Sequence, residues 1–316
     1  MSNVPKITAI GGGTGMPVLL RGLKDLPVEL TAVVTVADDG GSTGRIRSEM
    51  EIPAPGDIRN VIAALSDAEP MLLELFQHRF QQGNGLTGHS LGNLLLAAMT
   101  SMTGNFNQGI KEISRVLNVK GKIYPISNDN MSLHAIMEDG EIIHGESNIP
   151  LSGKRIKRIF LEPQPLHPLP NAVESIEKAD LIVISPGSLY TSIMPNLIVP
   201  EVKEALHNAK AKKVYVCNIM TQYGETTGYS AADHVQAIHD HVGDACVDYV
   251  IVHNQPIDAE TQEIYKEERA FPVEADIDRL KAMNVQVVAG NIVVKHKDGT
   301  LRHNNDKIAE MLYKFL

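Results

Sequence analysis

Lys6-Ile7-Thr8-Ala9-Ile10-Gly11-Gly12-Gly13-Thr14-Gly15-Met16-Pro17-Val18-Leu19-Leu20 is the stretch on which the fold turns. An apolar run of strand character, Lys6 to Ile10, passes through a glycine-rich turn into a segment with Val18, Leu19, Leu20 and Leu23 at helical spacing. Glycine lets the backbone bend sharply and approach an anion closely, and the unpaired N–H groups that open a helix supply donors and a partial positive charge. Gly12, Gly13, Thr14, Gly15 and Met16 are therefore candidate ligands of a pyrophosphate. The turn matches neither common fingerprint. Counted from Gly11, the third glycine of G-x-G-x-x-G falls on Met16, and no Lys-Ser or Lys-Thr pair completes a P-loop. A tight strand-to-helix turn with no ligand is the alternative reading.

A second apolar strand, Leu30 to Ala37, ends in Asp38-Asp39 and completes the first βαβ step of a dinucleotide-binding sheet. Apolar spacing predicts helices over Asp57 to Leu65, with Asp57 at or near the N-cap, over Glu69 to Phe80, from about Ser90, and over Phe106 to Leu117. The Ser90 helix carries Leu91, Leu94, Leu95, Leu96 and Met99, which predicts a helix buried against the sheet. Lys122 to Leu161 reads as a β-rich insertion, with Asp139-Gly140 turning a hairpin between Leu133–Met137 and Glu141–His144. Alternation then resumes, with helix 171–178, strand 181–185, helix 200–209, strand 213–218, helix 230–241 and strand 249–253. A short helix, strands near 285–294 and a closing helix from about Asn305 follow. The expected fold is α/β and Rossmann-like. Its sheet is doubly wound and mostly parallel, with helices on both faces, in one domain over residues 1–316 with an insertion at about 122–162.

The 316 residues, 43% of them hydrophobic, suffice for a large core. A formal charge of −9 without a Lys/Arg run argues against nucleic acid as a partner. Cys217 and Cys246 lack C-x-x-C spacing, which excludes a zinc site of that type and predicts reduced thiols. The strand beginning at Lys6 leaves no room for a signal peptide, and no apolar run approaches the ~20 residues of a membrane span, so the expected compartment is the cytoplasm. His234, His239 and His241 do not share a helix face, because five residues rotate by about 140° and two by about 200°, and they are expected to be solvated.

An open α/β sheet binds ligands outside the carboxyl ends of its strands, and those loops are rich in glycine and small polar residues. After the second strand, Asp38 and Asp39 can accept from a ribose, while Gly41, Ser42 and Thr43 offer N–H and hydroxyl donors and Arg45 or Arg47 offers charge. Asp57, Arg59 and Asn60 open the next helix. Asp57 is a plain N-cap by itself, but Asp39 and Asp57 could converge on one Mg²⁺ whose shell phosphate oxygens complete. His89, Ser90 and Asn93 either present an imidazole, a hydroxyl and an amide to a ligand or form a Ser N-cap beside a solvated His. Pro186, Gly187, Ser188, Tyr190, Thr191 and Ser192, with Asn196 beyond, form a second anion or sugar loop, and the loop from Asn218 through Gln222 to Gly228 could close over the ligand.

Five ordered motifs carry a family resemblance: Gly-Gly-Gly-Thr-Gly at 11–15, Ala-Asp-Asp-Gly-Gly-Ser at 37–42, Pro-Gly-Asp-Ile-Arg-Asn at 55–60, His-Ser-Leu-Gly-Asn at 89–93 and Ser-Pro-Gly-Ser-Leu-Tyr-Thr-Ser-Ile at 185–193. From about residue 6 onward the chain resembles the YvcK-type gluconeogenesis factors of the CofD-like superfamily. That superfamily's enzyme branch is 2-phospho-L-lactate transferase, which uses a nucleotide-activated donor and Mg²⁺. By that resemblance Asp39 and Asp57 are metal-associated acids and Thr191-Ser192-Ile193 is a phosphate loop. Thr87 to Asn93 departs from the transferase acceptor segment and follows the gluconeogenesis-factor form. The resemblance implies a regulator that binds a nucleotide diphosphate sugar such as UDP-N-acetylglucosamine. It also implies roles in gluconeogenic growth, cell shape and cell-wall control, a homodimer, and protein partners in that control. A Mg-dependent transferase of the 2-phospholactate type is the alternative. An NAD(P)-binding oxidoreductase suits the sheet but lacks the fingerprint.

Overall fold

The computed structural model describes residues 4–316. In chain order its strands are β1 (Lys6–Gly11), β2 (Glu29–Val34), β3 (Lys122–Pro125), β4 (Ser132–Met137), β5 (Ile142–His144), β6 (Ile156–Glu162), β7 (Leu181–Ile184), β8 (Lys212–Val216), β9 (Tyr249–His253), β10 (Gln286–Gly290), β11 (Val293–Lys295) and β12 (Leu301–His303). Seven of them form the central sheet in the order β10-β9-β8-β7-β1-β2-β3, and every neighbouring pair is parallel. Strands covered by helices on both faces need apolar residues throughout, and β7 accordingly reads Leu-Ile-Val-Ile with all four buried.

Helices surround the sheet, some packed on its faces and others only on neighbouring helices. They are α1 (Gly15–Leu23), α2 (Gly41–Met50), α3 (Gly56–Leu65), α4 (Pro70–Gln77), α5 (Leu91–Thr103), α6 (Phe106–Val116), α7 (Pro170–Glu177), α8 (Met194–Leu197), α9 (Pro200–Asn208), α10 (Ala231–Val242), α11 (Ala259–Glu267), α12 (Ile277–Ala282) and α13 (Asn305–Tyr313). α1 starts at the glycine turn and buries Met16, Leu19, Leu20 and Leu23. The last helix, α13, packs back on α1.

Several expectations are corrected. Gly41 to Arg47 forms α2, with Ser42, Thr43, Ile46 and Arg47 buried, because tertiary packing outweighs the poor helix propensity of its glycines. Lys122–Pro125 pairs with β2 as an edge of the main sheet, so the antiparallel unit of order β5-β4-β6 begins later, at Ser132. Helix α5 packs on α2, α3, α4 and α6 and not on the sheet, which leaves Leu95 and Met102 exposed. Asp57 lies near the N-cap as expected, inside the first turn of α3, with Pro55 at the cap position itself. The three histidines of α10 are buried, not solvated: Nδ1 of His234 and of His241 lies 2.8 Å from the carbonyl oxygen four residues earlier, and burial lowers both pKa values. Both cysteines are free and buried.

Candidate functional site

Strand β1 is flanked by β2 on one side and β7 on the other, so the chain reverses its direction of winding there, and the loops that follow β1 and β7 meet at that switch point. Contact is close. A Cβ on Gly15 would lie 2.3 Å from the Pro186 carbonyl oxygen, and one on Gly12 would lie 2.6 Å from both Asp57 Oδ2 and Thr35 Cγ2. Gly13 has φ +64°, the left-handed region that glycine occupies without strain, and its N–H donates to Asp57 Oδ2 at 2.7 Å. The turn thus spends one donor on a protein carboxylate, and the opening turn of α1 supplies the free ones.

Two cavities flank the turn. The larger, about 410 Å³, runs from Thr14 and Gly15 past Pro186, Gly187 and Ser188 to the loop after β8. Gly187 and Asn218 clasp each other there, the Gly187 N–H donating to Oδ1 at 3.1 Å and Asn218 Nδ2 donating to the Gly187 carbonyl at 2.8 Å. Gln222 Nε2 donates to Ser188 Oγ at 2.8 Å and leaves its own Oε1 buried without a partner. Tyr223, Tyr265, Arg302 and His303 close the far end. Tyr265, Arg302 and His303 escaped the sequence reading, since α11 and the short β11–β12 hairpin carry little periodic signal.

The smaller cavity, about 250 Å³, lies on the other side of the turn and is lined by Asp38, Gly41, Ser42, Thr43, Asp57, Arg59, Asn60, Arg79 and Asn93. The first turns of α2, α3 and α5 all open onto it. Burial pushes the Asp57 carboxyl up to about 6 against the pull of the Gly13 N–H, and Asp38 nearby adds to the rise. Asp38 is raised by burial as well, opposed by the Gly40 N–H and the Thr43 hydroxyl. Ser42 Oγ lies 3.0 Å from His89 Nδ1 and accepts from Asn93 Nδ2 at 3.3 Å, so His89 is a buried support and not a solvated side chain. Ser90 caps α5 and accepts from Arg59 Nη1 at 2.6 Å, while Arg59 Nη2 donates to Asn60 at 2.8 Å. Arg79 was missed because it sits in a polar loop without a motif.

Other expected site residues have structural duties. Asp39 does not converge with Asp57: its Oδ2 accepts from the Glu146 N–H at 3.0 Å and its Oδ1 from the Ser147 N–H at 2.9 Å, tying down the insertion. Asp38, one residue earlier, takes the expected place. Arg45 donates to the Thr87 carbonyl, and Arg47 to Ala37 O and Ser132 Oγ, so neither meets an anion. Thr191 Oγ1 and the Tyr190 N–H both donate to Glu225 at 3.1 Å, and the Tyr190 hydroxyl pairs with Tyr229. Asn196 pins the carbonyls of Gly11 and Ser192. Ser192 backs the Gly13 turn, where an added Cβ would fall 2.8 Å from its Oγ. Glu225 was also missed: it is buried, and burial pushes its carboxyl up to about 7. Glu146, raised by burial and by Asp38 and Glu225, reaches about 8.

Asp38 and Asp57 fit a hard cation, since both are acceptors in one cavity and burial raises both, Asp57 further through the charge of Asp38. No three His, Cys, Asp or Glu side chains among the described residues could enclose a metal, so oxygens of a bound ligand would have to complete the shell. No described helix is long and apolar enough to cross a membrane.

The family model described as 2-phospho-L-lactate transferase CofD matches residues 7–293. The chain belongs to the CofD family. It is 55% identical over 316 residues to the gluconeogenesis factor of Bacillus subtilis, covering 100% of this chain and 99% of that one. It is 56% identical to the protein of the same name from Halalkalibacterium halodurans, covering 97% and 95%. An X-ray structure of a Bacillus halodurans protein superposes with TM-score 0.97 at 56% identity, covering 98% of this chain and 100% of the other. The chain is thus a CofD family member similar over its whole length to proteins named gluconeogenesis factors, and the α/β fold is theirs.

Proposed function

We propose that this CofD family member binds a nucleoside diphosphate sugar of the UDP-N-acetylglucosamine kind and acts as a regulator of gluconeogenic growth and cell-wall supply. One observation carries the reading. A single 410 Å³ cleft has the start of α1 at one end, with Thr14 and Gly15, and stacking and hydrogen-bonding groups at the other, Tyr223, Tyr265, Asn218 and Gln222. The first end suits a diphosphate and the second suits a base and ribose. The unpartnered Gln222 Oε1 is an acceptor awaiting a ligand N–H or hydroxyl. The names of the similar proteins support the gluconeogenic part. A regulator requires only different affinities for its ligand in two conformations.

Thermal-shift titration of the full chain with UDP-N-acetylglucosamine, UDP and NADH tests the reading. At 100 times the dissociation constant a ligand adds about 2.7 kcal/mol of stability. A saturable shift with the UDP compounds and none with NADH is expected, and no shift with either UDP compound refutes it. The carboxylate pair Asp38 and Asp57 favours a second reading, a Mg-dependent group transfer of the 2-phospholactate type. Both side chains would hold the cation, which on binding would neutralise phosphate charge. Steady release of free nucleotide in the presence of Mg²⁺ would replace the first reading with the second.

A further inference from the structure

Helix α5 runs from Leu91 to Thr103 without a charged residue. At about 100° per residue its buried side chains, Asn93, Leu96 and Thr100 among them, gather on one side, and Leu91, Leu95, Ala98 and Met102 fall within about 60° of one another on the opposite side. The buried side packs on α2, α3, α4 and α6. On the other, Leu95 is 39% exposed and Met102 is 79% exposed, so the outward stripe is apolar where a helix on the surface of a monomer carries polar groups. A helix apolar on its outer as well as its inner face belongs in an interior. Helix α4, packed against it, exposes Met71 and Leu75 one turn apart. The chain as a whole exposes 14478 Å², whereas a compact monomer of 34.5 kDa exposes about 13,000 Å². The excess of about 1,500 Å² covers the roughly 800 Å² that each partner gives to a stable interface.

We propose that the outer face of α5, with α4 beside it, is the surface through which two copies of this chain associate. The positions 91, 95, 98 and 102 alternate steps of four and three residues, the apolar seam along which two helices interdigitate. A second copy presents the same seam. A two-fold axis crossing α5 midway between Leu95 and Ala98 lays the two helices antiparallel, with Leu91 on the partner's Met102 and Leu95 on the partner's Ala98. Charge favours a second copy as the occupant. At −9 the chain repels itself over most approaches, and a face built on an uncharged helix lets two such chains meet without like charges opposed. A charged partner would find nothing on α5 to pair with. Asn93, on the inner face of the same helix, lines the smaller cavity, so association stiffens one wall of that cavity.

The experiment is sedimentation equilibrium of the full chain over a dilution series, for the wild type, Met102→Glu and Leu151→Glu. Met102 and Leu151 are 79% and 80% exposed, one on the seam and the other in the insertion, so both variants keep the fold of the monomer, which equal melting temperatures of the diluted samples check. The wild type is expected at twice 34.5 kDa, with a dissociation constant raised about a hundredfold or more by Met102→Glu and unchanged by Leu151→Glu. In Ala98→Cys a short bis-maleimide should join the two copies, and in the wild type it should not, because both native cysteines are buried. A wild type that stays at 34.5 kDa throughout overturns the proposal and leaves the face to a different protein. An assembly larger than two, a dimer that Met102→Glu does not weaken or Leu151→Glu weakens equally, or an Ala98→Cys dimer that does not cross-link puts the contact on another face and overturns it as well.

Discussion

Replacing Asp57 by Asn should make the protein more stable at neutral pH while weakening its ligand binding. The Asp57 side chain sits in the wall of the smaller cavity, and its carboxyl rises from an ordinary 3.8 to about 6, mainly through burial. At about 1.4 kcal/mol per pKa unit, the ionised carboxylate destabilises the fold by about 3 kcal/mol, and relaxation of its neighbours with water entering the cavity brings the expected effect to about 2 kcal/mol. Asparagine keeps an oxygen for the Gly13 N–H, now 2.7 Å from Asp57 Oδ2, and places an amide N–H beside Asp38 in exchange for a second negative charge. The raised pKa means that the folded wild type holds a proton the unfolded chain has lost between pH 3.8 and about 6, so wild-type stability falls as pH rises through that window. The Asp57→Asn variant lacks this loss. Its advantage is therefore near zero at about pH 4 and complete above about pH 6.5. For a chain of this length about 2 kcal/mol is a gain of roughly 3 °C in Tm, readable by scanning calorimetry at about pH 4.5 and 7.5. A variant less stable than wild type at the higher pH, or an advantage that does not grow with pH, would refute the argument. In the same samples, any enhancement of UDP binding by Mg²⁺ should disappear.

Three other perturbations test the same geometry. Gly15→Ala places a Cβ 2.3 Å from the Pro186 carbonyl oxygen, so the β1 and β7 loops must separate; about 1–3 kcal/mol of stability and roughly tenfold or more in UDP affinity should be lost, measured by urea denaturation and titration. Asp39→Ala frees the Glu146 and Ser147 N–H groups, and faster hydrogen exchange confined to the insertion around residues 145–149 is expected at a cost of about 1–2 kcal/mol, with UDP affinity unchanged; a loss of UDP affinity would put Asp39 back in the site. Glu225→Gln removes a carboxyl raised from 4.5 to about 7, which flattens the decline of stability between pH 4.5 and about 7; an unchanged pH profile by calorimetry would contradict the burial argument.

The parallel sheet was legible in the sequence because its strands are short continuous apolar runs and its helices repeat at three and four residues, signals that depend on burial alone. The carboxylate pair was legible only to within one residue. In extended chain successive side chains point to opposite sides, so of Asp38-Asp39 one must face the cavity and the other away, and composition does not carry the parity. The structure turns Asp38 inward with Asp57 and sends Asp39 to the insertion. Helix α2 was misread because Gly-Gly-Ser-Thr-Gly is loop-like by propensity, and what holds it helical is the burial of Ile46 and Arg47 against distant segments. Tyr265 and Arg302 come from separate regions and meet only in three dimensions, at the larger cleft, while Arg79 reaches the smaller cavity from another part of the chain.

The missing third glycine now has a physical account. In the dinucleotide fingerprint that glycine lets the helix approach its strand closely, but here the position is Met16, fully buried, and its side chain fills the space that close approach would remove. The close approach occurs at Gly15 instead, and its neighbour is the Pro186 backbone of the β7 loop. Gly13 meanwhile gives its N–H to Asp57. The donors left for a diphosphate therefore lie on the β7 side of the turn, where the larger cleft opens, and the β2 side, where a dehydrogenase would seat its ribose, holds carboxylates and guanidiniums. The proposed nucleotide ligand, following the free donors, would therefore enter between β1 and β7.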